Sequence, residues 1–303
     1  MTAPLQLTEH RNPRSADIDT RSTREILDIM NAEDARIPTA VREALPAITR
    51  AVDEVVARWK DGGRLFYFGA GTSGRLGVLD ASECPPTFSS PPGQVQGFIA
   101  GGDRALRRSV EAAEDRPESG AEDVAAAGVM EKDVVVGLAA SGTTPYVLGV
   151  VAEAHRRGAF TACVICSPGA PLAAAVDQAI EVAVGPEVVT GSTRLKAGTA
   201  QKLVLNMLTT TAMIRSGKVY GNLMVDLTAS NQKLRRRAQR IVATITGLSE
   251  SETVPYLEAT AYRAKPAVLM ALAGCTAEDA TRRLDAAGGF LRAALGEPPP
   301  AAR

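Results

Sequence analysis

The sequence predicts an α/β protein of Rossmann-like, three-layer type: a parallel sheet flanked by helices on both faces, with helices before it and a helical region after it. Three observations carry this expectation. Short apolar runs, RLFYFG, DVVVGLAA and FTACVIC, alternate with helix-length segments, which is the pattern of βαβ units. The first of these runs enters a glycine turn and the second a hydroxyl-rich turn, each followed by a helical pattern. Past Gly191 the strand pattern stops and the rest reads as helix.

Taken in order, the chain begins polar and then helical. Ser22 and Glu25 fit the S-x-x-E capping box, and Ile26, Ile29 and Met30 keep helical spacing. A second helix is expected over 38–60, ended by Gly62 and Gly63, and a buried strand follows. After the turn at 69–74 comes a helix through Leu79, a weak strand at 95–99 and a helix from Asp103 to about Ala113. DVVVGLAA, a helix over 145–156, FTACVIC and AIEVAV complete the sheet pattern, with right-handed crossovers expected. Helices are then predicted at 195–215 and 231–245, with a cluster of short ones over 252–295, where Thr276 and Asp279 mark a capped start and Gly288 and Gly289 a stop. The expected division is a helical arm at 1–53, a ligand-binding domain at 54–217 and a C-terminal helical region at 218–303.

Composition narrows the function. The 303 residues are 45% hydrophobic and carry 34 basic and 34 acidic side chains, so no overall field would draw nucleic acid or an anionic membrane. The first residues lack the apolar core of a signal peptide and no run is long and apolar enough to span a bilayer, so a cytoplasmic protein is expected. Cys163 and Cys166 form a C-x-x-C inside an apolar run without a second pair, and read as buried strand residues. Only His10 and His155 occur, so no metal site is expected.

Two loops look fit for an anion. Gly69, Gly71 and Gly74 take the G-x-G-x-x-G spacing between a strand and a helix, where backbone N–H groups can meet a phosphate. Thr72 and Ser73 put hydroxyls in that turn, and the acidic residue that a dinucleotide site needs about 20 positions on is missing, so no nicotinamide cofactor is expected. In the second loop, AASGTTPY, Ser141, Gly142, Thr143 and Thr144 follow a strand; by themselves Ser141 or Thr143 are as well explained as helix caps. Together the loops favour a phosphate monoester on a small molecule, with Lys202 as a candidate cation.

These hydroxyl-rich loops resemble those of the sugar isomerase (SIS) family of phosphosugar-binding domains. The longer runs LTEHRNPRSADID, MNAEDARIPTAV, FGAGTSGRLGVLDASECPPTF, AAEDRPESG, GSTRLKAGTAQKLVLNMLTT and GNLMVDLTASNQKLRRRA are similar to the N-acetylmuramic acid 6-phosphate etherases. The resemblance implies a homodimeric lyase that converts N-acetylmuramic acid 6-phosphate to N-acetylglucosamine 6-phosphate and D-lactate in cell-wall recycling. It also implies two functional glutamates, Glu83 in DASECPPTF and Glu114 in EAAEDRPES, and a small UBA-like bundle near the C-terminus. Two other readings share the phosphate loops: a non-catalytic phosphosugar-binding regulator, like the glucokinase regulatory protein, and an aldose-ketose isomerase.

The chemistry fits two carboxylates. In the open-chain sugar the C2 proton is acidic, so one group can remove it while another protonates the departing lactyl oxygen, before water adds to the unsaturated aldehyde. Pro85, Pro86 and Cys84 suggest an apolar setting for Glu83 that would keep it protonated. About ten helical residues, roughly 15 Å of rise, separate Thr72 from Glu83, so either the helix bends near Asp80 or a dimer combines groups from two subunits.

Overall fold

The protein is described by a computed structural model over residues 6–227, 229 and 231–298. It divides into two compact units, one holding residues up to Cys84 together with Pro91–Thr209, the other Pro85–Ser90 and the chain from Thr210 onward.

In the first unit, three short 3-10 turns at Leu7–Glu9, Pro13–Ser15 and Ile18–Thr20 lead to α1 (Thr23–Asp34), whose start carries the Ser22–Glu25 capping box. The single helix expected over 38–60 is two: α2 (Ile37–Glu43) and α3 (Leu45–Lys60), the second starting afresh with Pro46 in its first turn, where a missing N–H costs nothing. Then come β1 (Leu65–Gly69), α4 (Gly71–Phe88), β2 (Val95–Ile99), α5 (Asp103–Arg107), α6 (Pro117–Ala126), β3 (Val134–Leu138), α7 (Pro145–Arg156), β4 (Phe160–Ile165), α8 (Pro171–Ala174), β5 (Gln178–Glu181) and α9 (Lys196–Arg215). The short α6 lies in a stretch where the sequence suggested no element. The helix α4 passes Leu79, the expected end, and includes Pro85 and Pro86, since each proline near a helix end removes only its own N–H.

The five strands form one all-parallel sheet in the order β2-β1-β3-β4-β5. Every residue of β1 and β3 is buried, as strands covered on both faces must be. Side chains alternate across the sheet: Phe66, Phe68 and Val135 join Val147, Val150 and Val151 of α7 in one core, while a Cβ on Gly77 of α4 would meet Tyr67 on the opposite face. The sheet flanked by helices is the three-layer α/β fold that the periodicity predicts. Cys163 and Cys166 are buried on and just past β4, both thiols pushed up to about 12 by burial.

In the second unit the stretch expected to be wholly helical begins with an antiparallel pair, β6 (Val219–Tyr220) and β7 (Leu223–Met224). Two-residue strands around Gly221, which has φ 58°, are too short to show a period. The helices α10 (Gln232–Thr246), α11 (Val254–Ala259), α12 (Ala264–Ala273), α13 (Ala277–Ala286) and α14 (Leu291–Ala294) then gather around Leu257, Val268, Ala280 and Leu284. Asn231 and Thr276 cap α10 and α13 through their side chains. Lys233, Arg235, Arg236 and Arg237 are exposed on α10, a solvated basic face.

Candidate active site

β1 delivers the chain almost directly into α4. A Cβ on Gly69 would lie 2.8 Å from the Gly74 nitrogen and one on Gly74 2.6 Å from the Gly69 oxygen, so strand and helix backbones touch where larger residues could not fit. Between them Gly71 takes φ 52°, the left-handed region. The first turn leaves the N–H groups of Gly71, Thr72 and Ser73 without an intrahelical acceptor, at the positive end of an 18-residue helix. The Ser73 hydroxyl is used differently from its neighbours: it is buried and donates to Gln201 Oε1 at 2.8 Å, tying α4 to α9, so only its backbone faces outward chemistry.

The second loop follows β3, which lies beside β1 with Gly69 opposite Leu138, so both loops leave the same edge of the sheet from adjacent strands. Gly142 has φ 71°, and a Cβ there would sit 2.5 Å from Ala170 Cβ. Ser141 Oγ accepts the Thr143 N–H at 3.2 Å and its hydroxyl at 3.1 Å. Neither residue caps α7, whose N-cap is Thr144 without a side-chain bond. Gln6 Nε2 reaches in from the N-terminal segment to Thr143 Oγ1 at 3.0 Å.

Lys202 stands on α9 with Nζ donating to Asn206 Oδ1 at 2.7 Å. It lines a cleft of about 260 Å³ with Thr72, Arg194 and Gly198, so a residue of the first loop and the expected cation share one cleft. Behind it lies a residue that sequence reasoning missed. Asp80 is 4% exposed; its Oδ1 accepts the Thr209 hydroxyl at 3.3 Å and lies 3.8 Å from Lys202 Nζ, while its Oδ2 makes no hydrogen bond of good geometry among the described residues. Burial raises its carboxyl to about 6 against the pull of Lys202 and of the Thr209 and Tyr67 hydroxyls. The signal was present, since Ser73, Gly77, Asp80 and Cys84 recur at the spacing of one inward helix face.

Glu114 does not end the helix that begins at Asp103. That helix stops at Arg107, Arg108 is extended, and Ala112 adopts φ 55° before a 3-10 turn, Ala113–Asp115. The turn sets Glu114 at the rim of a cavity of about 150 Å³ whose lining includes Gly71, Arg75, Ala100 and Ser109. Gly101, at φ 86°, makes room for the turn: a Cβ there would lie 3.0 Å from Val110. The phosphate-type turn and one expected carboxylate thus share a cavity.

Comparison with known proteins bears on the fold and the family. The glucokinase regulatory protein N-terminal SIS domain matches residues 47–155, and the SIS domain matches 114–211. The N-acetylmuramic acid 6-phosphate etherase of Cronobacter sakazakii is 54% identical over 95% of this chain and 97% of its own, and that of a Jannaschia species 60% identical over 83% and 80%. The chain belongs to the N-acetylmuramic acid 6-phosphate etherase family. A phosphoheptose isomerase from Neisseria gonorrhoeae shares the fold alone, with 18% identity and a TM-score of 0.50 over 63% of this chain and 98% of its own.

In this etherase-family chain, Glu83 stands apart from the other expected site residues. The helix α4 is unbroken from Gly71 to Phe88, so the bend near Asp80 that would have carried Glu83 back to Thr72 does not exist. Eleven residues of helix put their backbones roughly 16 Å apart. Nor does its own chain give Glu83 an apolar setting: the side chain is exposed, while Cys84 and Asp80 take the inward positions. Leu79, one turn earlier on the same face, is also exposed, at 43%.

Proposed function

We propose that this protein cleaves the 3-O-lactyl ether of N-acetylmuramic acid 6-phosphate by elimination and water addition, releasing D-lactate and N-acetylglucosamine 6-phosphate. The observation that carries the reading is the shared cavity of Gly71 and Glu114, in a chain whose full-length relatives are named etherases for that substrate. The phosphate is held by N–H groups of Gly71, Thr72 and Ser73, by Ser141, Gly142 and Thr143 of the neighbouring loop, and by Lys202. Glu114 removes the C2 proton and Glu83 protonates the departing lactyl oxygen.

The distance of Glu83 from the loops on its own chain favours two copies for this. Glu83 reaches the ring from the partner subunit of a homodimer, and the exposed Leu79 beside it belongs to the covered face; this burial also supplies the apolar setting that one chain lacks. Along the chain, 54–217 serves as the phosphosugar-binding domain, with 1–53 as its arm and 218–303 as the helical region. Four free cysteines and a balanced surface charge favour a cytoplasmic location.

The test is incubation with N-acetylmuramic acid 6-phosphate and an assay for D-lactate, with NMR of the sugar product to separate lactate release from ketose formation. Replacing Glu83 by Gln should lower lactate release by roughly 10²- to 10⁴-fold while leaving C2 hydrogen exchange with deuterated solvent intact. Near-normal lactate release by Glu83→Gln removes it from the mechanism; lost exchange with intact binding makes it the C2 base.

A further inference from the structure

Arg75 lies one turn beyond Gly71 on α4 and lines the cavity that contains Glu114. Its Nε donates to the Leu106 carbonyl at 3.1 Å and its Nη2 to the Ala105 carbonyl at 2.6 Å. One edge of the guanidinium therefore clasps the end of α5. The opposite edge, between Nη1 and Nη2, bonds to no group among the described residues, and no carboxylate lies within ion-pair distance of it there, Glu114 included. Arg75 thus lines a small cavity with a planar two-pronged donor edge left unbonded and no carboxylate paired to it among the described residues.

We infer that Arg75 is the specificity-determining residue for the lactyl carboxylate of the substrate. The inference rests on the etherase reading and adds a ligand contact to it. The position on the sugar decides between the two anionic groups of the ligand. The lactyl group hangs from C3, next to the C2 at which Glu114 acts, whereas the phosphate sits at C6 and has its own loops and Lys202. A carboxylate also matches the two-pronged edge in plane. Electrostatics requires such a cation: Glu114 must be ionised to act as a base, and a second carboxylate entering its cavity would repel it unless a positive charge stood beside both.

The test compares two ligands that differ in the lactyl group alone. Binding of N-acetylmuramic acid 6-phosphate and of N-acetylglucosamine 6-phosphate is measured by calorimetry in the Glu83→Gln protein, which should turn over little substrate, with Arg75 intact and as Arg75→Gln. Loss of a charged two-pronged contact should weaken the muramic ligand about 10- to 100-fold. N-acetylglucosamine 6-phosphate should bind within about twofold of its former affinity, which also shows that the site is still formed. An Arg75→Lys protein, which keeps the charge and loses the planar fork, should fall between the two for the muramic ligand. Equal weakening of both ligands in both variants assigns Arg75 to the phosphate or to the fold and overturns the inference, as does no weakening of either. If the protein with Arg75 intact binds neither sugar phosphate, it is the etherase reading that fails.

Discussion

Two buried carboxylates of the first unit each lie near a lysine of α9, and they are finished in opposite ways. Glu33, on α1, is 1% exposed and takes hydrogen bonds from Lys196 Nζ, from Asn12 Nδ2 at 2.8 Å and from Arg14 and Arg36. Burial pushes its carboxyl up, but the bonds from Lys196 and Asn12 and the surrounding positive charge outweigh that and hold it below the usual value. Asp80, on α4, accepts the Thr209 hydroxyl, has a lysine at 3.8 Å, and among the described residues its Oδ2 meets no hydrogen bond of good geometry, only the weaker pull of the buried Tyr67 hydroxyl beside it. Its carboxyl rises to about 6. A carboxylate completed by its own chain is a fastening, here of the N-terminal segment to the start of α9. One left incomplete keeps an electrostatic cost, and this one lies 3.8 Å from Lys202, the cation proposed for the ligand.

The comparison breaks most visibly at Glu33. Glu33→Ala leaves Lys196 charged and unpaired in the interior, so stability should fall by about 3–5 kcal/mol, read from urea unfolding. A loss under 1 kcal/mol would mean that the network is not a fastening.

Asp80→Asn should act in the opposite direction. A carboxyl whose folded value is raised from 3.8 to about 6 costs nothing when protonated in both states, below 3.8, and the cost grows as pH rises to 6. The neutral variant should therefore be the more stable protein at pH 8, by up to about 3 kcal/mol, and the difference should vanish towards pH 4. Glu33 has the opposite profile, its contribution being present above its ordinary value of 4.5 and lost as the solution is acidified. Parallel pH dependences for the two sites would erase the distinction.

The smallest effect sharpens it. Thr209→Val removes the hydroxyl donated to Asp80 and should cost about 1 kcal/mol at pH 8, with little cost at pH 5, where Asp80 is mostly protonated. Chemical denaturation at the two pH values checks this.

Much of this was legible in the residues. Strand runs of apolar residues, the glycine turn after β1, the capping box at Ser22 and the cap at Thr276 each act within a few positions of chain, where propensity and local hydrogen bonding decide the outcome. The loops at Gly71 and Ser141 were legible for the same reason. Elements set by contacts were not: the helix read as running through Leu79 continues to Phe88 with Pro85 and Pro86 inside it, and nothing local announces that Ala112 turns left-handed and separates Glu114 from α5.

The sequence by itself determined the alternation of strands and helices, the two hydroxyl-bearing loops and the family, because those depend on neighbours along the chain and on long shared runs. The spacing on α4 marks Ser73 and Asp80 as inward, but tertiary structure alone decided that Ser73 meets Gln201, that Asp80 is incompletely paired beside Lys202, and that Arg75 and Glu114 line one cavity. Each of those depends on which side chain a distant segment presents and on how much water the packing removes, and no spacing along the chain encodes either quantity.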